Sequence, residues 1–376
     1  MVTDNRSAGP RLPVQYDGYD PLPIVDLKVH MLIDPTSGKR DGLLRVITEG
    51  GIEGWSNELD PETARVITTQ FREHLIGWDA LERERLWHDL VMLERLTWPP
   101  KKLRGAIDIA LWDIAGKRLG LPVWRLLGAC RDKVPCYRTQ SGSMGPEGKS
   151  MDHFIEFSLQ VKEEGYLGSK DHCYAGPTFM IELAGRLRDA VGPDYHLMHD
   201  AVGYYDLKEA MRVGRGLEEL DYKWFEEPIR DQDFIGLKQL REALEIPVVG
   251  GEYFPHQLHS YAQMLALGCV DGIKPMVSSG GISEIIKLAD LTHAFGATMH
   301  VSAHDQMWGF AAVNVNGAME NAEMLEAHPP FSEHTNPALK NPLKLEEGYV
   351  RMPEGPGLGV DLDWGLIEEQ TTEVIE

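Results

Sequence analysis

At 376 residues, with 43% hydrophobic and 26% charged side chains, the chain is large enough for one sizeable α/β domain and a smaller companion. Its formal net charge of −22 excludes the basic surface that nucleic-acid phosphates require, and no apolar run approaches the length of a membrane span. Cys130, Cys136, Cys173 and Cys269 show no metal-ligand spacing and read as reduced thiols of a cytoplasmic protein.

The opening MVTDNRSAGPRLPVQYDGYDP lacks the apolar core of a signal peptide and reads as a loose polar arm, residues 1–21. From about Pro23 the text turns to strands, VDLKVHMLI and then LLRVITEGGIEGWSNE, with a Gly-Gly turn signal inside the second run. Helical text follows in PETARVITTQFREHL, LERERLWHDLVMLERL and GAIDIALWDIAGKRLG. In the last of these, Ile107, Ala110, Leu111 and Ile114 recur at helical spacing, and Gly120 stands where a C-cap would. Strands followed by helices predict an α+β unit over residues 22–132.

From about Lys133 strands and helices alternate. The strand-like segments are VPCYRTQ, YLGSKDH, YHLMHDA, YKWFEEP, IPVVGGE, VDGIKPM, ATMHVSAH and ENAEMLE. Between them run amphipathic helices such as TFMIELAGRLRDAVG, DLKEAMRVGRGLEEL and SEIIKLADLTHAFG. Eight strands with seven intervening helices predict a parallel (β/α)7β barrel of the TIM type over residues 133–343, with its catalytic face at the C-terminal ends of the strands. A doubly wound open sheet is the alternative, disfavoured by the absence of a GxGxxG turn after the first strand. Residues 344–376, with LEEGYVRMPEGPGLGVDLDW, carry turn-rich strand text expected to pack back on the N-terminal unit.

Three acids close successive strand segments: Asp200 in HLMHD, Glu226 in KWFEE and Glu252 in PVVGGE, each 26 residues after the last. That interval is about one strand, one helix and two loops, so all three carboxylates are predicted to point into the barrel mouth. Three hard oxygen ligands with room for water and substrate suit Mg²⁺. Strand two ends in Lys170-Asp171-His172, and alternation puts Lys170 and His172 on one face. Two neighbouring basic groups depress each other's pKa, as a general base near neutral pH requires. Strand seven ends in SAHD, which places His304 across the mouth, with His300 a layer deeper as a core histidine. Glu326, at the end of strand eight, is placed to hydrogen-bond a substrate oxygen or to pair with a basic residue. Lys274, closing strand six, is either the partner of a metal carboxylate or a second ammonium acid/base. A divalent cation beside such bases suits removal of a proton α to a carboxylate, giving an enediolate.

At these residues the chain resembles the enolase superfamily, and within it the mandelate racemase-like group that includes acid-sugar dehydratases. The likeness runs from about residue 23 onward through AIDIALWDIAGKRLGLPVWRLLG, WFEEP, the GGE strand end, the turn at Gly280-Gly281-Ile282 and PGLGV at Pro356–Val360. It implies an α+β capping domain, formed by the N-terminal region and the C-terminal tail, over a (β/α)7β barrel. It also implies Asp200, Glu226 and Glu252 as Mg²⁺ ligands, leaves Glu227 without a ligand role, and places Glu326 against the substrate carboxylate. Residues near His30–Arg40 and Gly54–Glu58 are implied to form mobile loops over the substrate. Two departures stand out. The family's second strand-two lysine is His172 here, and the Asp that partners the strand-seven histidine is replaced by Pro275-Met276. His304 matches that histidine only if strand seven takes two extra residues after Phe295-Gly296.

The expected activity is Mg²⁺-dependent dehydration of a sugar acid, an aldonate or aldarate, to a 2-keto-3-deoxy acid, with Lys170, His172 and His304 catalytic. Racemisation, epimerisation or cycloisomerisation of a carboxylic acid is the alternative, and a non-catalytic binding module a third. The expected partner is a small-molecule carboxylate, in a homo-oligomer, with no nucleic acid and no membrane.

Overall fold

Alternating apolar residues along Ile24–Ile33 form β1, which pairs antiparallel with β2 (Arg40–Thr48), itself paired antiparallel with β3 (Glu53–Leu59). The structure, a computed structural model, describes residues 18–33, 38, 40–97, 102–140, 150–253, 258–302, 309–327 and 338–376. Asp60 caps α1 (Pro61–Val66) by accepting from the Glu62 and Thr63 amides, and a π-helical turn (Ile67–Phe71) leads into α2 (Arg72–Leu75). Then come α3 (Arg83–Thr97), α4 (Leu103–Leu119) and α5 (Val123–Leu126). Gly120 ends α4 at φ 68°, the left-handed C-cap its position predicted. Leu27, Val29 and Met31 of β1 share one apolar core with Ile107, Ala110, Leu111 and Ile114 of α4.

The barrel follows as β4 (Lys133–Thr139), α6 (Met151–Glu163), β5 (Gly168–Asp171), α7 (Pro177–Val191), β6 (His196–Asp200) and α8 (Leu207–Glu219). It continues through β7 (Trp224–Glu226), α9 (Phe234–Ala243), β8 (Val248–Gly250), α10 (Leu258–Ala266), β9 (Gly272–Ile273), α11 (Val277–Ala294), β10 (Thr298–Met299), α12 (Phe310–Ala318) and β11 (Leu325–Ala327). The strands are parallel in chain order from β4 to β10, β11 pairs with β4, and a bridge between Met299 and Ala322 closes the circle. This is the (β/α)7β barrel predicted from the alternation. Inward-facing Tyr137, Met198, Trp224, Val249 and Met324 fill its interior, and the apolar helix faces pack outside the strands. All four cysteines are free. Among the described residues no helix is long and apolar enough to cross a membrane.

After the barrel the tail divides. The hairpin β12 (Leu345–Glu346) and β13 (Tyr349–Arg351) pairs antiparallel with β4, whereas α13 (Trp364–Gln370) leads to β14 (Thr371–Ile375), which pairs with β1. The first sheet therefore runs β14-β1-β2-β3, and the C-terminal tail completes the capping domain. The implied mobile loops are corrected on the described residues. His30–Ile33 belongs to β1, and residues 54–58 lie within β3, held because Gly54 sits directly on α4, where an added Cβ would be 1.9 Å from the Ala110 carbonyl oxygen. Residues 34–37 and 39 lie outside the described residues.

The cap grips the barrel through α4 on α11. Gly105 permits the contact, since a Cβ there would stand 2.0 Å from the Ser278 carbonyl oxygen. Gly281 breaks α11 at φ 76°, and Asp108 accepts from the Ser283 amide at 2.9 Å and its hydroxyl at 2.6 Å. Burial pushes the Asp108 carboxyl up to about 6, against the pull of those hydrogen bonds. Beside it the buried Arg104 guanidinium donates to Glu284 at 2.5 Å, to Glu94 at 2.9 Å and to the Gly280 carbonyl at 3.2 Å. Arg104→Met removes the cation that both carboxylates share and is expected to cost about 3–5 kcal/mol of stability. The urea midpoint reads this directly, and a midpoint equal to that of the unsubstituted chain would show that the cluster contributes nothing.

Candidate active site and metal centre

Parallel register sets the site. Asp200 at the end of β6 is the Cα partner of Glu226 at the end of β7, and Glu252 follows two residues beyond the end of β8. All three are buried, and one oxygen from each lies within 4.8 Å of the others. Octahedral Mg²⁺ with oxygens at about 2.1 Å sets those oxygens about 3–4 Å apart, so the three carboxylates fit it after a small closure. Their chemistry fits as well: the set is all oxygen, without the sulfur or imidazole that favour softer ions.

Three basic residues surround the carboxylates. Lys170, on β5 beside Met198, contacts Glu226 at 2.5 Å, Glu326 at 2.9 Å and Asp200 at 3.1 Å. Lys274, just beyond β9, contacts Glu326 at 2.7 Å, Glu226 at 3.5 Å and Glu252 at 3.9 Å. His172 holds Asp200 through Nε2 at 3.0 Å, while its Nδ1 lies 3.0 Å from the Gln140 carbonyl oxygen. That carbonyl only accepts, so Nδ1 carries a proton, and the Asp200 carboxylate only accepts as well, so Nε2 donates to it and the ring is held here as the imidazolium. The side chains differ in access: His172 is 20% exposed, Lys170 1% and Lys274 0%.

The charges correct one expectation. Burial draws the Lys170 ammonium down, but Glu226 and Glu326 outweigh it and hold its pKa well above the usual lysine range. Burial likewise lowers His172, and Asp200, by charge and hydrogen bond, more than reverses this. The mutual depression expected of adjacent bases is present, since Lys170 does push His172 downward, but the acids beside them are nearer and more numerous. Burial and the Asp200 charge push Glu226 up, while Lys170 and His172 keep Asp200 low despite its burial.

The structure brings Asp200, Glu226, Glu252, Lys170, His172, Lys274 and Glu326 together at one mouth. His304 lies outside the described residues. His300 is a buried core residue, its Nε2 2.8 Å from the Thr298 hydroxyl and its ring edge-on to Trp224. Several contributors were missed in the sequence. Trp224 donates to Glu226 at 2.9 Å and Ser302 to Glu252 at 3.3 Å. On the outer face, Asp171 binds His199 at 2.8 Å and the Cys173 amide at 3.0 Å, fastening β5 to β6 behind the site. Tyr174 and Tyr204 stack at 6.0 Å where the chain leaves β5 and β6, and half-exposed Tyr253 follows Glu252. The alternation that marks Lys170 as inward also marks Asp171 and His199 as an outward pair, a signal that could have found them.

Comparison with known proteins agrees with this architecture. Residues 25–128 match the family described as "Mandelate racemase / muconate lactonizing enzyme, N-terminal domain", and residues 154–366 the family "Enolase C-terminal domain-like". A D-galactarolactone cycloisomerase of Agrobacterium fabrum is 30% identical over 349 residues, covering 87% of this chain and 90% of its own. An L-rhamnonate dehydratase of Saccharopolyspora erythraea is 32% identical over 320 residues, 80% of this chain and 77% of its own. The crystal structure of a D-glucarate dehydratase from Agrobacterium tumefaciens complexed with magnesium superposes with a TM-score of 0.84 at 31% identity, covering 94% of this chain and 100% of that one. The chain belongs to the enolase superfamily, within its mandelate racemase-like group.

Proposed function

We propose that the protein is a Mg²⁺-dependent lyase that removes the α-proton of a sugar acid and expels the β-hydroxyl as water, giving a 2-keto-3-deoxy acid. The observation that carries this reading is His172, partly exposed where Lys170 and Lys274 are buried, held by Gln140 and set against Asp200 of the three-carboxylate cluster. Asp200, Glu226 and Glu252 would hold the ion, which supplies charge neutralisation at the substrate carboxylate as the α-proton leaves. With Asp200 turned to the ion and the imidazolium proton released, neutral His172 would take the α-proton at Nε2 and hand it to the departing β-hydroxyl, so that water and an enol, which ketonises to the 2-keto acid, are the products. Lys170 contributes its fixed charge beside the developing enediolate, held in place by three carboxylates. Glu326 and Lys274, bonded to each other at 2.7 Å, form the charged floor against which a substrate oxygen rests. Tyr174, Tyr204 and Tyr253 line the rim where a hydroxylated chain would enter. The sugar-acid substrate is supported by the dehydratases among the relatives, named for rhamnonate, arabinonate and, in the magnesium-bound structure, glucarate.

A second reading, cycloisomerisation, is favoured by the 30% identical galactarolactone relative. Both readings are tested by incubating a panel of aldonates, aldarates and their lactones with the protein and Mg²⁺ in D₂O. Dehydration gives a 2-keto-3-deoxy product that reacts with semicarbazide. Ring opening or closure with solvent deuterium incorporated, and no keto product, makes the protein a cycloisomerase. Absence of exchange and of product across the panel would sink both.

A further inference from the structure

The loops leaving the three carboxylate-bearing strands are joined at one residue on the face opposite the mouth. Glu227 is buried and turned away from the barrel axis, and its backbone sits at φ 40°, in the left-handed region that glutamate rarely adopts. Three sets of hydrogen bonds meet there. Its amide donates to the Val249 carbonyl of β8 at 2.8 Å, and its carbonyl accepts from the Gly203 amide beyond β6 at 2.7 Å. Its carboxylate oxygen accepts from the Glu252 amide at 3.1 Å and the Tyr253 amide at 3.4 Å. Asp231, buried and hydrogen-bonded to the Glu227 side chain, accepts from the Gly251 amide at 2.9 Å. Every amide from Gly251 to Tyr253 is therefore held by one of two carboxyl groups.

We infer that Glu227 and Asp231 are positioning residues that clamp the β8 exit so that Glu252 stands within reach of an ion shared with Asp200 and Glu226. Without the clamp the segment of Gly251, Glu252 and Tyr253 would have buried amides without acceptors. It would then move outward to water, carrying the Glu252 carboxylate off the other two. Such outer hydrogen bonds fix ligand orientation, and losing them typically weakens metal affinity about 10- to 100-fold. The left-handed backbone at Glu227 lies where the chain leaves β7 and is held on both sides, by the amide's bond to Val249 and the carbonyl's bond from Gly203.

The inference rests on Asp200, Glu226 and Glu252 being the ion's ligands, and the test separates the two claims. Mn²⁺ uptake by the full chain is titrated by paramagnetic resonance, below the melting temperature of every variant. Glu227→Gly keeps the backbone conformation but removes the acceptor, and Glu227→Gln restores an acceptor oxygen without the charge. Glu227→Gly is expected to bind Mn²⁺ about 10- to 100-fold more weakly, and Glu227→Gln within about threefold of the unsubstituted chain. Should the glycine variant not fold, Asp231→Ala, which strips the acceptor from the Gly251 amide, carries the same expected loss. Wild-type Mn²⁺ affinity in the folded glycine or alanine variant overturns the clamp, even if melting temperature falls, because that result describes packing alone. A glutamine variant as weak as the glycine variant also overturns it, by showing that charge rather than hydrogen bonding matters. Full Mn²⁺ affinity in Glu252→Gln would instead remove the ligand assignment beneath the proposal.

Discussion

Glu252→Gln is expected to lower kcat by at least about 10³, equivalent to roughly 4 kcal/mol of transition-state stabilisation, while the chain stays folded. The amide keeps the shape of the side chain and still accepts from Ser302, now 3.3 Å from Oε1. It removes one of the three anionic charges that would hold the dication. Folding survives because residues at the C-terminal mouth of a barrel serve the chemistry more than the packing. Turnover and Mg²⁺ titration on the same preparation, with circular dichroism as the control for folding, decide it. Near-normal turnover at saturating Mg²⁺ would remove Glu252 from the metal centre.

Lys170→Met is expected to destabilise the chain by about 3–5 kcal/mol in the presence of a chelator, and by much less at saturating Mg²⁺. The ammonium sits within 3.1 Å of three buried carboxylates, Asp200, Glu226 and Glu326. Methionine fills the same volume but leaves those charges to Lys274 and His172 alone. A dication bound to the folded chain replaces the lost charge, and at about a hundred times its Kd adds about 2.7 kcal/mol. The variant, freed of a competing cation, should gain more from the ion than the unsubstituted chain does. Chemical denaturation with EDTA and with Mg²⁺ reads the difference. An identical loss under both conditions would show that Lys170 does not act on the charge balance of the metal carboxylates.

Local information carried a large part of this protein into view. Strand and helix periods lie within ten or so residues of text, so the order of β4 to β11, with their helices, was legible before any contact was known. The position of an acid at a strand's C-terminal end is equally local. Asp200, Glu226 and Glu252 could be placed at one mouth because each closes its own apolar run at the same 26-residue interval. Gly120 at the end of α4 belongs to the same kind, a backbone demand visible as a single residue.

What lay beyond the sequence depended on register and on charges brought together from distant segments. Alternation marked Lys170 and Lys274 as inward, but only the closed barrel sets both against the same Glu226 and Glu326 and reverses the pKa direction expected for Lys170. Residues 54–58 read as a loop by resemblance, yet they are a strand because α4 packs on Gly54 from more than fifty residues away. The tail carried strand text throughout. That β13 would pair with β4 and β14 with β1 followed from which sheet edges the finished layers left open. Glu227 shows the limit most plainly. The sequence left it without a ligand role and assigned it no other. Alternation turns it to the face opposite Glu226, but the amides it meets there, 25 residues further on, were set by how the β7 and β8 exits come together in the closed barrel.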